Sequence, residues 1–293
     1  MKKLKRAVIR YNASKNDVVF NLEKAQEVLI GILGDFQRFC DDNGIRFSVT
    51  YGSLLGAIRE KSIIKWDDDI DVMMTEENFN KVIDNVDKLP FYNLSFYHYS
   101  VASKIPTNEI RLCREGYYRI LENNGSKYLC PLCIDVFLFS KISIASDEKA
   151  AKKQSKILKK IKRKKSILML KELKYNSKNR LRSIFRGFIK FFLIFISEER
   201  LHIGIDKSIS ILYKPNTDYM LFSPYAGGRF WLKFEKHLLD NTIKVPFGDI
   251  NVSAISSYDG FLTSVYGDWR TPYDRSGGTT QKTFFIERHD KDF

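Results

Sequence analysis

The sequence predicts an α+β fold: a mixed sheet core flanked by helices and interrupted by a basic helical insertion. Three observations carry that reading. Phe20 to Asn43 holds Leu22, Ala25, Val28, Leu29, Ile32, Leu33, Phe36 and Phe39 at helical period. Tyr51 to Met74, YGSLLGAIREKSIIKWDDDIDVMM, joins a strand, a Gly-Ser turn, a helix start and a second strand. Leu94 to Tyr99, Glu109 to Cys113, Tyr117 to Leu121 and Leu132 to Phe139 read as short strands, punctuated by Pro106, Gly116 and Gly125. The boundaries expected are a basic lead-in over 1–18, a core over 19–146, a basic amphipathic helical segment over 147–200, and a 201–293 part that completes the core unit.

In chain order, Asn21 is placed to cap the first helix and Asp42-Asn43-Gly44 to end it. Ile45 to Tyr51 has the β-branched and aromatic content of a strand. Leu54 to Arg59 then runs without a breaker, so Gly52-Ser53 opens a helix whose first N–H groups can take an anion. Ile70 to Met73 forms the next strand, and Thr75-Glu76-Glu77 caps a helix that ends before Pro90. Beyond the basic segment, a helix is expected over Ile203 to Leu212, strands over Tyr219 to Ser223 and Ile243 to Val245, and a short helix over Ser256 to Tyr266.

The 293 residues carry a formal net charge of +14, and its distribution decides more than its sum. Lys149 to Lys190 holds 17 Lys and Arg against Glu172 alone, so the rest of the chain is left near −2. So little acid leaves no i,i+4 pairing to explain the run as a solvated face, and it leads into the aromatic, apolar Phe188 to Ile196. A basic helix followed by such a stretch fits an anionic membrane surface. Nucleic acid ranks lower, because no aromatics interleave the cations as a stacking platform would require. Phe188 to Ile196 is nine residues long, far short of the ~20 that span a bilayer. No apolar run in MKKLKRAVIRYNASKNDVV makes a secretory signal, so the expectation is a cytoplasmic protein peripheral on the inner face of the membrane. Cys40, Cys113, Cys130 and Cys133 make no disulfide framework, and CPLC at 130–133 reads as small residues entering a strand rather than half of a zinc site or a redox pair.

Four aspartates, Asp67, Asp68, Asp69 and Asp71, define the candidate site. Strand alternation points Asp69 and Asp71 the same way and Ile70 and Val72 into the core, with Asp68 turned away and Asp67 on the ligand side. Two carboxylates about 7 Å apart on one face suit Mg²⁺, with Mn²⁺ as the alternative. Asp135, between Ile134 and Val136, is a costly lone carboxylate in an apolar run and is taken as the third. A phosphate-binding helix start beside a metal site implies chemistry on a phosphate ester. Trp66, Arg229, Trp231, Tyr258 and Trp269 are the cation and aromatic candidates, with the core the commoner fate of such aromatics and a cage for a quaternary ammonium the other.

YGSLLGAIR, IKWDDDIDVMM, CIDVFLF and LTSVYGDWRTP resemble the successive motifs of the LicD/fukutin family, covering the chain from about Phe20 to Pro272. The resemblance implies a nucleotidyltransferase-like fold and cation-dependent transfer of phosphocholine, or phosphoethanolamine or a polyol phosphate, from a CDP-activated donor, with CMP released. The acceptor it implies is a sugar hydroxyl of a surface glycan or its polyprenyl-linked precursor. It further implies that Gly52, Ser53, Arg59 and Lys65 serve donor phosphate and nucleotide, and that Asp69, Asp71 and Asp135 are catalytic and bind the metal, with Asp67 behind them. At 59–66 the chain reads REKSIIKW where bacterial members tend to read RHKGFIPW, placing Glu60 and Lys65 beside the donor site. A glycosyltransferase using Asp69-x-Asp71 with a nucleotide-sugar is the enzyme rival. The rival of another class is a nucleic-acid-modifying nucleotidyltransferase or nucleic-acid binder.

Overall fold

The computed structural model describes residues 9–98, 109–123, 126–172, 195–222, 233–272 and 284–288. The first part runs β1 (Ile9–Arg10), β2 (Val18–Phe20), α1 (Leu22–Asp42), β3 (Ser48–Val49), α2 (Tyr51–Arg59), β4 (Ile70–Thr75) and α3 (Glu76–Asp84). A 3₁₀ turn over Val86–Tyr92 leads to β5 (Ser95–His98), β6 (Glu109–Asn123) and β7 (Ser126–Ser143). Then come α4 (Glu148–Glu172), α5 (Glu198–Ser210), β8 (Tyr219–Phe222) and β9 (Lys233–Phe234). β10 (Thr242–Phe247), β11 (Ile250–Ile255), α6 (Tyr258–Tyr266) and β12 (Phe284–Glu287) close the described chain.

The class is α+β with a mixed sheet. Its backbone order is β2-β12-β6-β7-β4-β3, with β1 and β8 also on β7, β5 on β6 and β9 on β8. β4 and β7 are parallel, whereas β6 and β7, and β3 and β4, run antiparallel. Ile70, Val72, Ile134, Val136, Ile110 and Leu112 are fully buried and share one core with Leu29, Ile32, Leu33 and Phe36 of α1. Each such side chain contributes about 1.5–3 kcal/mol of burial. α1 forms as its pattern requires: Asn21 accepts from the Lys24 N–H at 2.9 Å and the apolar stripe faces inward.

Several boundaries differ from those the sequence suggests. Only Ser48 and Val49 pair in the first expected strand, and Tyr51, at φ 46°, already begins α2, so Gly52 and Ser53 lie in its first turn. The expected strands 109–113 and 117–121 are one strand, β6, whose register jumps between Cys113 and Tyr118. The lead-in contributes two strands, β1 on β7 and β2 on β12, and Asp17 is paired with Arg288 at 2.7 Å. β10 and β11 form a hairpin through Gly248-Asp249, with Gly248 at φ 63° supplying the left-handed residue.

A second, smaller core sits at the far end of β7. Ile142 packs there with Leu158 and Ile161 of α4 and with Leu201, Ile205 and Leu212. Lys164 crosses between the helices and donates to the Gly204 carbonyl and to Ser208 Oγ at 3.2 Å. The opposite face of α4 carries Lys149, Lys152, Lys153, Lys156, Lys159 and Lys160, all exposed. The basic run from 173 to 190 and most of Phe188 to Ile196 lie outside the described residues. Among the described residues, no helix is long and apolar enough to cross a membrane.

Candidate active site

The site is assembled where α2, β4 and β7 meet. The Asp71 peptide is held on both sides: its N–H donates to Ser53 Oγ at 2.8 Å, and its carbonyl accepts from the Thr50 N–H at 2.9 Å. Ser53 is therefore buried, with its hydroxyl bracing the carboxylate strand. Gly52 faces the Asp67 carboxylate so closely that a Cβ there would stand 3.0 Å from Asp67 Oδ2. Asp67 thus puts its negative charge at the N-terminal turn of α2, where the helix dipole favours it.

One polar side chain holds the acidic loop to the core. Gln26 of α1 donates its amide to the carbonyls of Ile64, Lys65 and Asp67, at 3.1, 3.3 and 2.8 Å. Lys65 itself is exposed. Asp69 precedes β4 by one residue rather than lying within it. Burial raises its carboxyl pKa first, the negative charges of Asp68 and Asp135 raise it further, and Arg119 opposes them. The Asp69 residue nonetheless keeps solvent-exposed surface. Asp68, which alternation turns away, belongs to this charge cluster.

Asp71 and Asp135 are register partners on the parallel strands β4 and β7, side by side at about the 4.8 Å strand spacing. Asp135 is in turn the register partner of Arg111 on β6, whose Nε lies 2.9 Å from Asp135 Oδ1. Arg119 is also close, its Nε buried with no hydrogen-bond partner among the described residues. The oxygens present are the hard donors that Mg²⁺ takes, and the mutual repulsion felt by Asp69 is what a divalent cation would relieve, so the donor chemistry fits. Among the described residues, however, no three acidic, His or Cys side chains are gathered closely enough to enclose a metal.

The other expected residues gather elsewhere. Arg59 lies at the end of α2, about 10 Å along the helix from Gly52. Its Nε donates to Glu60 Oε1 at 2.7 Å and its Nη1 to the Trp269 carbonyl at 3.2 Å. Trp269 is buried, edge-on to Tyr258 at 6.4 Å, with the Arg270 guanidinium 4.5 Å over its ring. Trp66 is exposed on the acidic loop. Arg229 and Trp231 lie outside the described residues. The structure therefore sets Asp71 and Asp135 beside Arg111, with Asp68, Asp69 and Arg119 in electrostatic reach, and places Arg59, Tyr258 and Trp269 in a second cluster.

Residues 44–104, which include α2, the acidic loop and β4, match the family model described as LicD/FKTN/FKRP, nucleotidyltransferase domain. A curated relative, "Lipopolysaccharide cholinephosphotransferase LicD" of Haemophilus influenzae, is 24% identical over 257 residues, which is 85% of this chain and 91% of that protein. The LicD-domain match ends before β7, so Asp135 and Arg111 fall outside it, while the similarity to the Haemophilus protein extends over most of the chain. Gln26, Arg111 and Arg119 carry no motif in the sequence; only the register of β6 against β7 reveals Arg111.

Proposed function

We propose that this chain is a metal-dependent phosphotransferase that moves a phospho-substituent, phosphocholine first, from a CDP-activated donor to a sugar hydroxyl of a surface glycan or its lipid-linked precursor. Phosphoethanolamine or a polyol phosphate are the other substituents in range. The observation that carries the reading is the row of Asp71 and Asp135 on neighbouring parallel strands, with Asp69 beside it, in a chain whose residues 44–104 match the LicD/FKTN/FKRP model. Asp69 and Asp71, with Asp135 third, would hold Mg²⁺ or Mn²⁺, which when bound offsets charge on the donor diphosphate. The chain itself supplies position: Ser53 and Thr50 fix the Asp71 backbone, and Gln26 fixes the loop that delivers Asp69. Arg119 supplies positive charge where phosphate oxygens would enter, the main demand of phosphoryl transfer. Asp135 is the candidate to receive the acceptor hydroxyl's proton.

The direct test is incubation with Mg²⁺, a lipid-linked glycan acceptor and separate CDP-choline, CDP-ethanolamine, CDP-ribitol, CDP-glycerol and UDP-sugar donors. CMP release from a CDP donor is expected; UDP release alone would establish the glycosyltransferase instead.

The exposed cationic face of α4 is assigned to the anionic inner face of the cell membrane, where such a precursor would be carried. Co-sedimentation with vesicles containing phosphatidylglycerol is expected, with release in ~0.5 M salt, which shrinks the screening length to a few ångströms. Equal binding to pure phosphatidylcholine vesicles would remove the assignment.

A further inference from the structure

Arg111 forms an ion pair with Asp135, a carboxylate of the proposed metal set, and the function proposed above leaves it without a role. It shares a row with the acids: Arg111 on β6 is in register with Asp135 on β7, and Asp135 with Asp71 on β4. Register partners on a sheet project to the same side, so the guanidinium and both carboxylates stand together. The Arg111–Asp135 pair is also unlike the ion pairs that brace the fold. Asp35 with Arg114 and Asp17 with Arg288 have carboxylates only 6% exposed, whereas Arg111 and Asp135 are 31% and 19% exposed. Water reaches both partners, so another cation can compete for the carboxylate.

Resting on the phosphotransferase reading, we infer that Arg111 is a stand-in cation: it holds Asp135 in the metal-free protein and passes to the donor's phosphate oxygens when a divalent cation takes the carboxylate. No bond is made or broken covalently. The carboxylate exchanges a +1 partner for a +2 partner, and the released guanidinium meets a new anion in the same cleft. Its planar fork suits two phosphate oxygens at once, which a lysine ammonium does not match.

The exchange is tested on the full chain by Mn²⁺ titration without donor, followed by electron paramagnetic resonance, and by donor binding with Mn²⁺ present. Arg111→Gln is expected to bind Mn²⁺ alone about 10-fold tighter than the parent protein, because a competing charge is gone, and CDP-choline at least 10-fold more weakly. Arg111→Lys keeps the charge and loses the fork, so its Mn²⁺ affinity should lie between the two while donor binding stays weak. This variant carries the same test if Arg111→Gln does not fold. Mn²⁺ affinity that is unchanged or weaker in both variants, or no Mn²⁺ binding by the parent, overturns the exchange. If the donor is not CDP-linked, CDP-choline binds none of the proteins, yet the Mn²⁺ shift persists and inorganic pyrophosphate shows the Arg111-dependent loss. If the Mn²⁺ shift appears but neither probe depends on Arg111, the transfer to phosphate is wrong.

Discussion

Asp71→Ala is expected to lower CMP release by about 10³-fold while leaving the protein folded. The asymmetry follows from which atoms are used. Two bonds that fix residue 71 run through its peptide, to Ser53 Oγ and from the Thr50 N–H, and alanine keeps both. What alanine removes is the carboxylate beside Asp135, and with it charge stabilisation of a kind that is typically worth about 3–4 kcal/mol in a transition state. Asp68→Ala is the internal comparison. Asp68 contributes field to Asp69 without lying on β4, so a loss of about tenfold is expected. Steady-state rates with CDP-choline, alongside unchanged circular dichroism, check both. Asp71→Ala retaining a tenth of the parent rate would remove this carboxylate from the chemistry.

The second large effect is on stability. A Cβ added at Gly56 would lie 2.4 Å from the Ser62 carbonyl oxygen, a backbone atom, and 3.3 Å from Ile64. The 60–64 loop crosses α2 there, with the N–H groups of Glu60 and Ser62 both donating to the Gly56 carbonyl, at 2.8 and 3.4 Å. Gly56→Ala therefore has to push a backbone segment away, which costs about 1–3 kcal/mol or more and outweighs the ~1 kcal/mol gained in helix propensity. A net loss near 2 kcal/mol would lower the melting temperature by about 4–8 °C. The displaced loop leads into Trp66 to Asp69, so activity should fall by more than unfolding explains. Gly52→Ala is milder, because its new methyl meets Asp67 Oδ2 at 3.0 Å and a side-chain end can swing aside. Calorimetry showing equal melting temperatures for Gly56→Ala and the parent would contradict the packing argument.

How much of this was visible in the sequence depends on the range of the interaction. α1, its Asn21 cap and the acidic loop are local patterns, and the α+β class follows from them. The extent of β6 is not legible, because a breaker such as Gly116 suggests a strand end where the chain has a register jump. The hairpin of β10 and β11 was half read; Phe247-Gly248-Asp249-Ile250 is a usable turn signal that the Ile243–Val245 strand leaves out. Within the site, strand alternation is a rule about residues inside a strand. It misleads at Asp68 and Asp69, which precede β4 in an irregular loop. Gln26 and Arg111 act across 41 and 24 positions of sequence, and no spacing rule reaches that far.

β7 has a further consequence, of distance. One strand carries Asp135 in its middle and, seven residues on, Ile142 beneath α4 and α5. At about 3.3 Å per residue the proposed reaction centre stands some 23 Å along this bar from the core that seats the basic helix. If that helix rests on lipid headgroups, the bar is a ruler. It fixes how far above the membrane a glycan must extend before its hydroxyl reaches the aspartates, so acceptors too short to cover that height are excluded by length alone.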